Sequence, residues 1–324
     1  MPFKNTEAFI GEAIESILQQ GYTDWELVAV DDFSEDHSAE IVKGYAQRDA
    51  RVRYFKNSEQ GIIAALELAL ANSNSHYIGR FDSDDIMAEG RLDKMVSLLE
   101  KASPKTIVTG MVQYFSDRPI SKGYEKYQQW LNEVNLGREQ WTEIYRECVI
   151  ASPNWLMLRS ELLEIGGFSG LSYPEDYDWC FRCYQAGFEV ECLNSTTLYW
   201  REHPNRTSRN SEHYAQNAFF NLKIQRFLEI ENFEQLVLWG SGRKARLTAS
   251  ILERNGTSFR WMDMEPAKFP EGIMAKKIED FRSLKPERGL KLLVGVYPNP
   301  SQKKAIDDFL YSRHMNPGED YWYL

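Results

Sequence analysis

The 324 residues carry a formal net charge of −10, which removes the broad basic footprint that nucleic-acid binding needs, so no nucleic-acid partner is expected. Hydrophobic residues at 43% and charged residues at 27% exclude a long disordered or fibrous chain, and the length suggests two domains of about 100–200 residues each. The longest apolar candidate, Ile62 to Ala71, is far short of the ~20 residues of a membrane span and contains Glu67.

The opening Met1-Pro2-Phe3-Lys4-Asn5 has no apolar signal core, so a cytoplasmic location with reduced cysteines is expected. Phe9, Ala13, Ile14, Ile17 and Leu18 then share one helical face, and Trp25 to Val30 reads as a buried strand ending in Asp31-Asp32. A helix through Ser38 to Tyr45, a strand at Val52 to Phe55 and a helix at Ile62 to Leu70 follow. Tyr77 to Phe81 reads as a strand running into Asp82-Ser83-Asp84-Asp85. Leu92, Met95, Val96 and Leu99 mark the next helix, and Thr106 to Phe115 a longer strand. This alternation predicts an α/β fold with a mostly parallel central sheet.

Residues 116–147 interrupt the rhythm with Tyr124, Tyr127, Trp130, Trp141 and Tyr145, which read as a helical lid packed on the sheet. Gly166-Gly167-Phe168 and then Pro174-Glu175-Asp176-Tyr177-Asp178-Trp179 make a glycine turn leading into a helix with acids at its head. Cys180 and Cys183 fall inside that helix, and with no second pair at metal-site spacing they read as buried thiols. A helix from Ser211 to Ile230 closes a first domain at 1–230 and opens a second at 231–324. Its Lys223 and Arg226 permit peripheral contact with a membrane face, although packing between domains is the stronger reading.

Parallel sheets bind ligands at the carboxyl ends of their strands, which is where both acidic clusters fall. Asp82, Asp84 and Asp85 repel one another unless a cation or hydrogen bonds compensate. A divalent cation, Mg2+ or Mn2+, is the natural solution, since it takes carboxylate oxygens and completes its shell with substrate phosphates. An aspartate-rich turn or helix cap is the competing reading, and capping is the stronger reading for Asp31-Asp32 alone.

Order and spacing join these motifs. Pro2-Phe3-Lys4-Asn5, Val30-Asp31-Asp32-Phe33-Ser34, Gly61 to Asp85, Gly167-Phe168 with Glu175-Asp176, and Trp200-Arg201-Glu202-His203-Pro204-Asn205-Arg206 together resemble the family 2 glycosyltransferases over about residues 1–210. The resemblance implies the GT-A fold and an inverting, metal-dependent transfer of a sugar from a nucleotide diphosphate, with a UDP-sugar as the expected donor. The acceptor would be a hydroxyl of a glycan or lipid-linked molecule, of the kind built into bacterial surface polysaccharide. Asp31 or Asp32 would bind the base and Asp82 the ribose, with Pro2, Phe3, Asn5 and Arg80 also at the nucleotide. Asp84 would hold the metal, with His203 near it or the diphosphate. Asp176 would be the catalytic base, while Glu175 and Asp178 would orient the acceptor or hold the helix. Family members carry a hydrophobic first strand just before the residues matching Met1 to Asn5, so translation is expected to begin upstream of Met1.

In the second domain, Trp239-Gly240-Ser241-Gly242-Arg243-Lys244-Ala245 follows a predicted strand and opens a helix, with Asp263 near the distance expected for a dinucleotide fingerprint. The domain resembles half-Rossmann modules found beside bacterial sugar-transfer enzymes, and makes Gly240, Gly242 and Asp263 nucleotide candidates. The glycines also serve tight strand-to-helix packing, and that structural role is the stronger reading. Two other functions remain open: a non-catalytic nucleotide-sugar-binding or scaffold protein, and an oxidoreductase built on the Gly240 motif.

Overall fold

Two apolar alternations become two units, one of residues 1–140 with 149–211 and one of residues 141–148 with 212–324. The computed structural model describes every residue except Tyr297 and, within helices, the side chains of Thr207, Ser208 and Pro300.

The first unit begins β1 (Pro2–Phe3), α1 (Ile10–Leu18), β2 (Leu27–Asp31), α2 (Ser38–Arg48), β3 (Val52–Lys56) and α3 (Ile62–Ala71). It continues β4 (Tyr77–Ile78), β5 (Ile86–Met87), α4 (Arg91–Leu99), β6 (Thr106–Phe115) and α5 (Lys122–Gly137). After β7 (Trp155–Leu158) come α6 (Arg159–Glu164), α7 (Glu175–Gln185), β8 (Glu189–Arg201) and α8 (Thr207–Asn210). β1, β2 and β3 form a parallel sheet in that order. All five residues of β2 are buried, which is why Leu27-Val28-Ala29-Val30 reads as a continuous apolar run rather than an alternation. A second sheet has the order β4-β7-β6-β8-β5; β6 and β8 are parallel, and the other three pairings are antiparallel. The parallel pattern therefore holds in the first sheet and in β6/β8, while the short strands β4, β5 and β7 reverse it.

The strand expected through Phe81 stops at Ile78, because the backbone at Gly79 passes the neighbouring strand too closely for a side chain. A Cβ there would lie 2.4 Å from the Trp155 carbonyl oxygen. Arg80 to Asp85 are thereby released from the sheet as a loop. Beyond Met1, a cavity of about 710 Å3 runs along β2 and β4, lined by Leu27, Val28, Leu66, Tyr77, Met87 and Arg91. The unit's main core joins Ile10, Ile14 and Ile17 of α1 to Val112 and Tyr114 of β6, Leu131 of α5 and Trp200 of β8. In α5, Leu131 and Val134 are buried, as the reading of this region as a helix packed on a sheet requires.

The second unit contains α9 (Gln216–Ile230), β9 (Gln235–Trp239), α10 (Arg243–Arg254), β10 (Arg260–Asp263), β11 (Ile278–Asp280), β12 (Leu290–Val294), α11 (Pro300–Ser312) and β13 (Tyr321–Tyr323). Its strands are all parallel in the order β11-β10-β9-β12-β13, so the chain winds outward from β9 in both directions. That is a doubly wound order with a topological switch beside β9. α9 lies in this unit because Phe227 packs edge-on against Tyr145 and Trp322.

The basic residues of α9 do not form a membrane-facing stripe. Lys223 is 2% exposed, donates from Nζ to the Arg146 carbonyl at 3.1 Å and lies over the Phe220 ring. Burial pulls its amine down to about 7. Arg226 pairs with Glu229 on its own helix. Among the described residues, no helix is long and apolar enough to cross a membrane.

Candidate active site

The first cluster closes β2. Asp31 and Asp32 are both buried, and each is committed to the local backbone. Asp31 Oδ1 accepts from Ser34 N at 2.8 Å, while Asp32 Oδ1 accepts from Gly61 N at 2.8 Å and Asn57 Nδ2 at 2.9 Å. Asp32 thus fastens the end of β2 to the head of α3. Phe3 and Pro2 run alongside, with the Phe3 carbonyl accepting from Asp32 N at 2.8 Å. Asn5 takes a left-handed φ of 52° and its Oδ1 accepts from Glu35 N at 2.8 Å, which pins the turn that follows Asp32. Asn57 carried no sequence signal; only the fold brings it to Asp32.

The second cluster is the loop released at Gly79. Asp84 Oδ2 lies 2.9 Å from His203 Nε2, across 119 residues of chain. Burial pushes the Asp84 carboxyl up, but the His203 hydrogen bond and the Arg206 charge outweigh it and hold it below the usual carboxylate range. Asp85 beside it is buried, accepts from Arg201 N at 2.8 Å through Oδ1 and, among the described residues, has no hydrogen-bond partner on Oδ2. Burial, then the charges of Asp84 and Asp82, push Asp85 well above its ordinary value. Arg201 also donates from Nε to the Asp84 carbonyl at 2.8 Å, and its guanidinium lies over Phe9, whose ring also packs on His203. Arg201 and Arg206 thus complete this cluster. Both stand in the Trp200-to-Arg206 string, where charge opposite an acidic loop was the available signal.

Asp84 and His203 are the side chains here that could hold a cation, in place of the 2.9 Å hydrogen bond they now share. Among the described residues no three His, Cys, Asp or Glu side chains converge, so phosphate and water oxygens would complete the shell, as magnesium and manganese commonly require.

The third cluster heads α7. Its first turn carries Glu175, Asp176 and Asp178, and the fold treats them differently. Asp178 is 2% exposed and its Oδ2 accepts from Ser172 N at 2.7 Å, tying the helix to the preceding loop. Glu175 is 1% exposed and its Oε1 accepts from Arg80 Nη1 at 2.9 Å. Asp176 is half-buried, and its Oδ1 accepts from the adjacent Tyr177 N at 2.8 Å. Burial, then the Glu175 charge, raise its carboxyl to about 7, with Arg80 opposing. The geometry therefore leaves Asp176 as the open acid of this turn.

Arg80 joins the second and third clusters. Its Nε donates to Asp82 Oδ1 at 2.8 Å while Nη1 serves Glu175, and Asp82 Oδ2 also lies 3.4 Å from Ser152 Oγ. Asp82, Arg80, Glu175 and Asp176 are in this way continuous, and the Asp82 charge is felt at Asp176. Asp84, Asp176 and His203 do not line the 710 Å3 cavity, although Arg80 does.

In the second unit, Gly240 leaves β9 with φ of 114°, and a Cβ there would lie 2.7 Å from Val296 Cγ1. A Cβ on Gly295, after β12, would lie 2.9 Å from the Ala245 Cβ of α10. These glycines let β9, β12 and α10 approach closely. Gly242 precedes α10 with open space beside it, and Asp263 ends β10 with its Oδ1 accepting from Glu265 N at 2.8 Å.

Comparison with known proteins adds ancestry to this geometry. The family model described as Glycosyl transferase family 2 matches residues 1–166, just over half the chain. The uncharacterized glycosyltransferase EpsJ of Bacillus subtilis strain 168 is 26% identical over 239 residues, 68% of this chain and 68% of that protein. Among solved structures, Staphylococcus aureus TarS 1-349 superimposes with a TM-score of 0.51 at 16% identity, covering 78% of this chain and 69% of its own. The mannosyltransferase PcManGT of Pyrobaculum calidifontis, solved with GDP-Man and Mn2+, gives 0.50 at 18% identity over 78% and 67%. Likenesses at this identity show a shared GT-A type α/β fold.

Proposed function

Because the chain belongs to glycosyltransferase family 2, we propose that it moves a sugar from a nucleotide diphosphate, a UDP-sugar, to a hydroxyl of a glycan or lipid-linked acceptor with inversion. The observation that carries this reading is Asp176: a half-buried carboxylate raised to about 7, at the head of a helix and tied through Glu175 and Arg80 to the acidic loop. A base with a pKa near the working pH is both ionised and basic enough to take a proton in the transition state. Asp176 takes the acceptor hydroxyl's proton as that oxygen attacks the anomeric carbon, on the face opposite the departing diphosphate. Direct displacement inverts the centre.

Asp84 and His203 would hold a divalent cation, whose role when bound is to stabilise negative charge on the leaving phosphate oxygens. Asp31 and Asp32 at the end of β2, and Asp82 in the loop beyond β4, would bind the nucleotide. The PcManGT complex with GDP-Man and Mn2+ supports a nucleotide-sugar and a cation together on this fold, with the base left to be settled by binding.

The test is a thermal-shift panel of UDP, GDP, CDP and ADP with and without Mn2+, followed by release of the preferred diphosphate from its sugars. A ligand stabilises the fold in proportion to RT ln(1 + [L]/Kd). Asp176→Asn should bind the diphosphate as the parent does and lose sugar release; equal release by both would reject Asp176 as base. Binding without release by the parent chain, with any acceptor or with water, would favour a non-catalytic nucleotide-sugar-binding or scaffold role.

A further inference from the structure

We propose that Arg80 is a positioning residue: its guanidinium fork fixes the head of α7, and with it Asp176, against the Asp82 loop. The proposal rests on Asp176 being the base, and adds what holds it in place. Arg80 Nε and Nη1 reach different carboxylates, Asp82 at 2.8 Å and Glu175 at 2.9 Å, from a side chain only 7% exposed. The Glu175 partner is 1% exposed.

A buried ion group of this kind is a weak source of stability, because desolvation offsets much of the attraction, so its effect is better sought in geometry. A planar guanidinium holds two carboxylates at a set angle, which an ammonium cannot do. Successive helical residues are separated by a fixed rotation of about 100°, so fixing Glu175 also fixes the direction of Asp176. Asp178, held by Ser172 N at 2.7 Å, supplies a second point of attachment on the same turn. The first turn is clamped through two of its acids, and the third is thereby aimed.

The charged surroundings are defined. Asp176 is influenced by Glu175, Arg80 and Asp82. Tyr173 adds its hydroxyl near Glu175 and Asp32 from the preceding loop. Arg80 meets both sides of the gap between the acidic loop and α7 through hydrogen bonds.

The experiment is a carboxyl 13C NMR titration of the full chain labelled at aspartate, with the Asp176 signal assigned from Asp176→Asn. Arg80→Gln should move the Asp176 midpoint upward by about one pH unit, and Glu175→Gln should move it downward by a similar amount. Arg80→Lys, which keeps the charge but not the fork, should fall between the parent and Arg80→Gln. A midpoint in Arg80→Lys equal to the parent's would overturn the proposal, since charge alone would then suffice. So would an unchanged midpoint in an Arg80→Gln chain that melts like the parent. If Arg80→Gln does not fold, Arg80→Lys decides: an upward shift supports the clamp, and a midpoint equal to the parent's refutes it. These titrations contain no nucleotide sugar, so failure of the transferase reading would appear separately, as absent UDP release from UDP-sugars while the midpoints still respond.

Discussion

Both units end parallel strands beside the start of a helix, yet they fill those ends with different chemistry. In the first unit, β2 runs into Asp31 and Asp32, and the loop beyond β4 carries Asp82, Asp84 and Asp85. These acids reach across the sequence to Asn57 and His203, and Asp82 through its neighbour Arg80 to Glu175. In the second unit, β9 runs into Gly240, and the close approach of β9, β12 and α10 uses the space that a side chain would need. The first set of strand ends concentrates titratable groups, whereas β9 and β12 of the second are each followed by a glycine. A shared winding rule therefore says where a site would lie, and only the residues there say whether chemistry follows.

The largest effect expected to separate the two units is on turnover. Asp176→Asn should lower sugar release by about 10^2–10^4-fold, the usual contribution of a positioned general base, with diphosphate affinity retained. Gly240→Ala should leave the same rate within about twofold if the second unit has no part in the reaction. A large loss from Gly240→Ala at unchanged fold would make the glycine turn part of the machinery. Titrating the full chain with NAD+ in a calorimeter tests the oxidoreductase alternative directly, and saturable heat would restore it.

Removing metal should come next in size. Chelation by EDTA is expected to lower turnover by about 10^2-fold or more, several kcal/mol of transition-state stabilisation, and Mn2+ or Mg2+ should restore it. Asp84→Ala should give the same loss without metal rescue. A rate indifferent to EDTA would leave the Asp84–His203 pair as a structural contact.

The sequence exposed the alternation of helices and strands, the buried run of β2 and the acids at strand ends, because each is written in local periodicity or composition. It exposed Asp84 with His203 and Glu175 with Asp176 through motif order, although 119 residues separate the first pair. What it hid was contact. Nothing in Arg80 distinguishes a residue that meets a nucleotide from one that spans Asp82 and Glu175, and Lys223 looked like a surface lysine until packing enclosed it. Asn57 had no pattern at all. The early end of β4 was equally illegible, since Gly79 stops the strand by its closeness to Trp155 on a distant segment.

Stability offers a finer separation. Gly240→Ala places a side chain at a φ of 114° and within 2.7 Å of Val296 Cγ1. A strained backbone of this kind costs about 1–3 kcal/mol, read as a lower melting transition for the second unit in calorimetry. Gly242→Ala, where nothing lies within 4 Å of the new Cβ and φ is −74°, should cost much less. Equal losses at the two positions would show that close packing is not what Gly240 provides.

The smallest effect tests the charge arrangement of the first unit. Asp176 must be ionised to accept a proton, so kcat/KM should rise with pH through an acid limb near 7. Burial is the main cause of that high value and the Glu175 charge the next, so Glu175→Gln should move the limb to lower pH without returning it to the ordinary aspartate range. At pH 7 the parent base is about half ionised, so the variant gains at most about twofold there, provided Arg80 still holds the helix. The sign for folding is opposite: a carboxyl raised in the folded state stabilises the protein at low pH, and that contribution is lost as pH rises from about 4 through 7. Glu175→Gln should flatten that loss in chemical denaturation across the same range. An acid limb that does not move, with an unchanged stability profile, would mean that the Glu175 charge is not felt at Asp176.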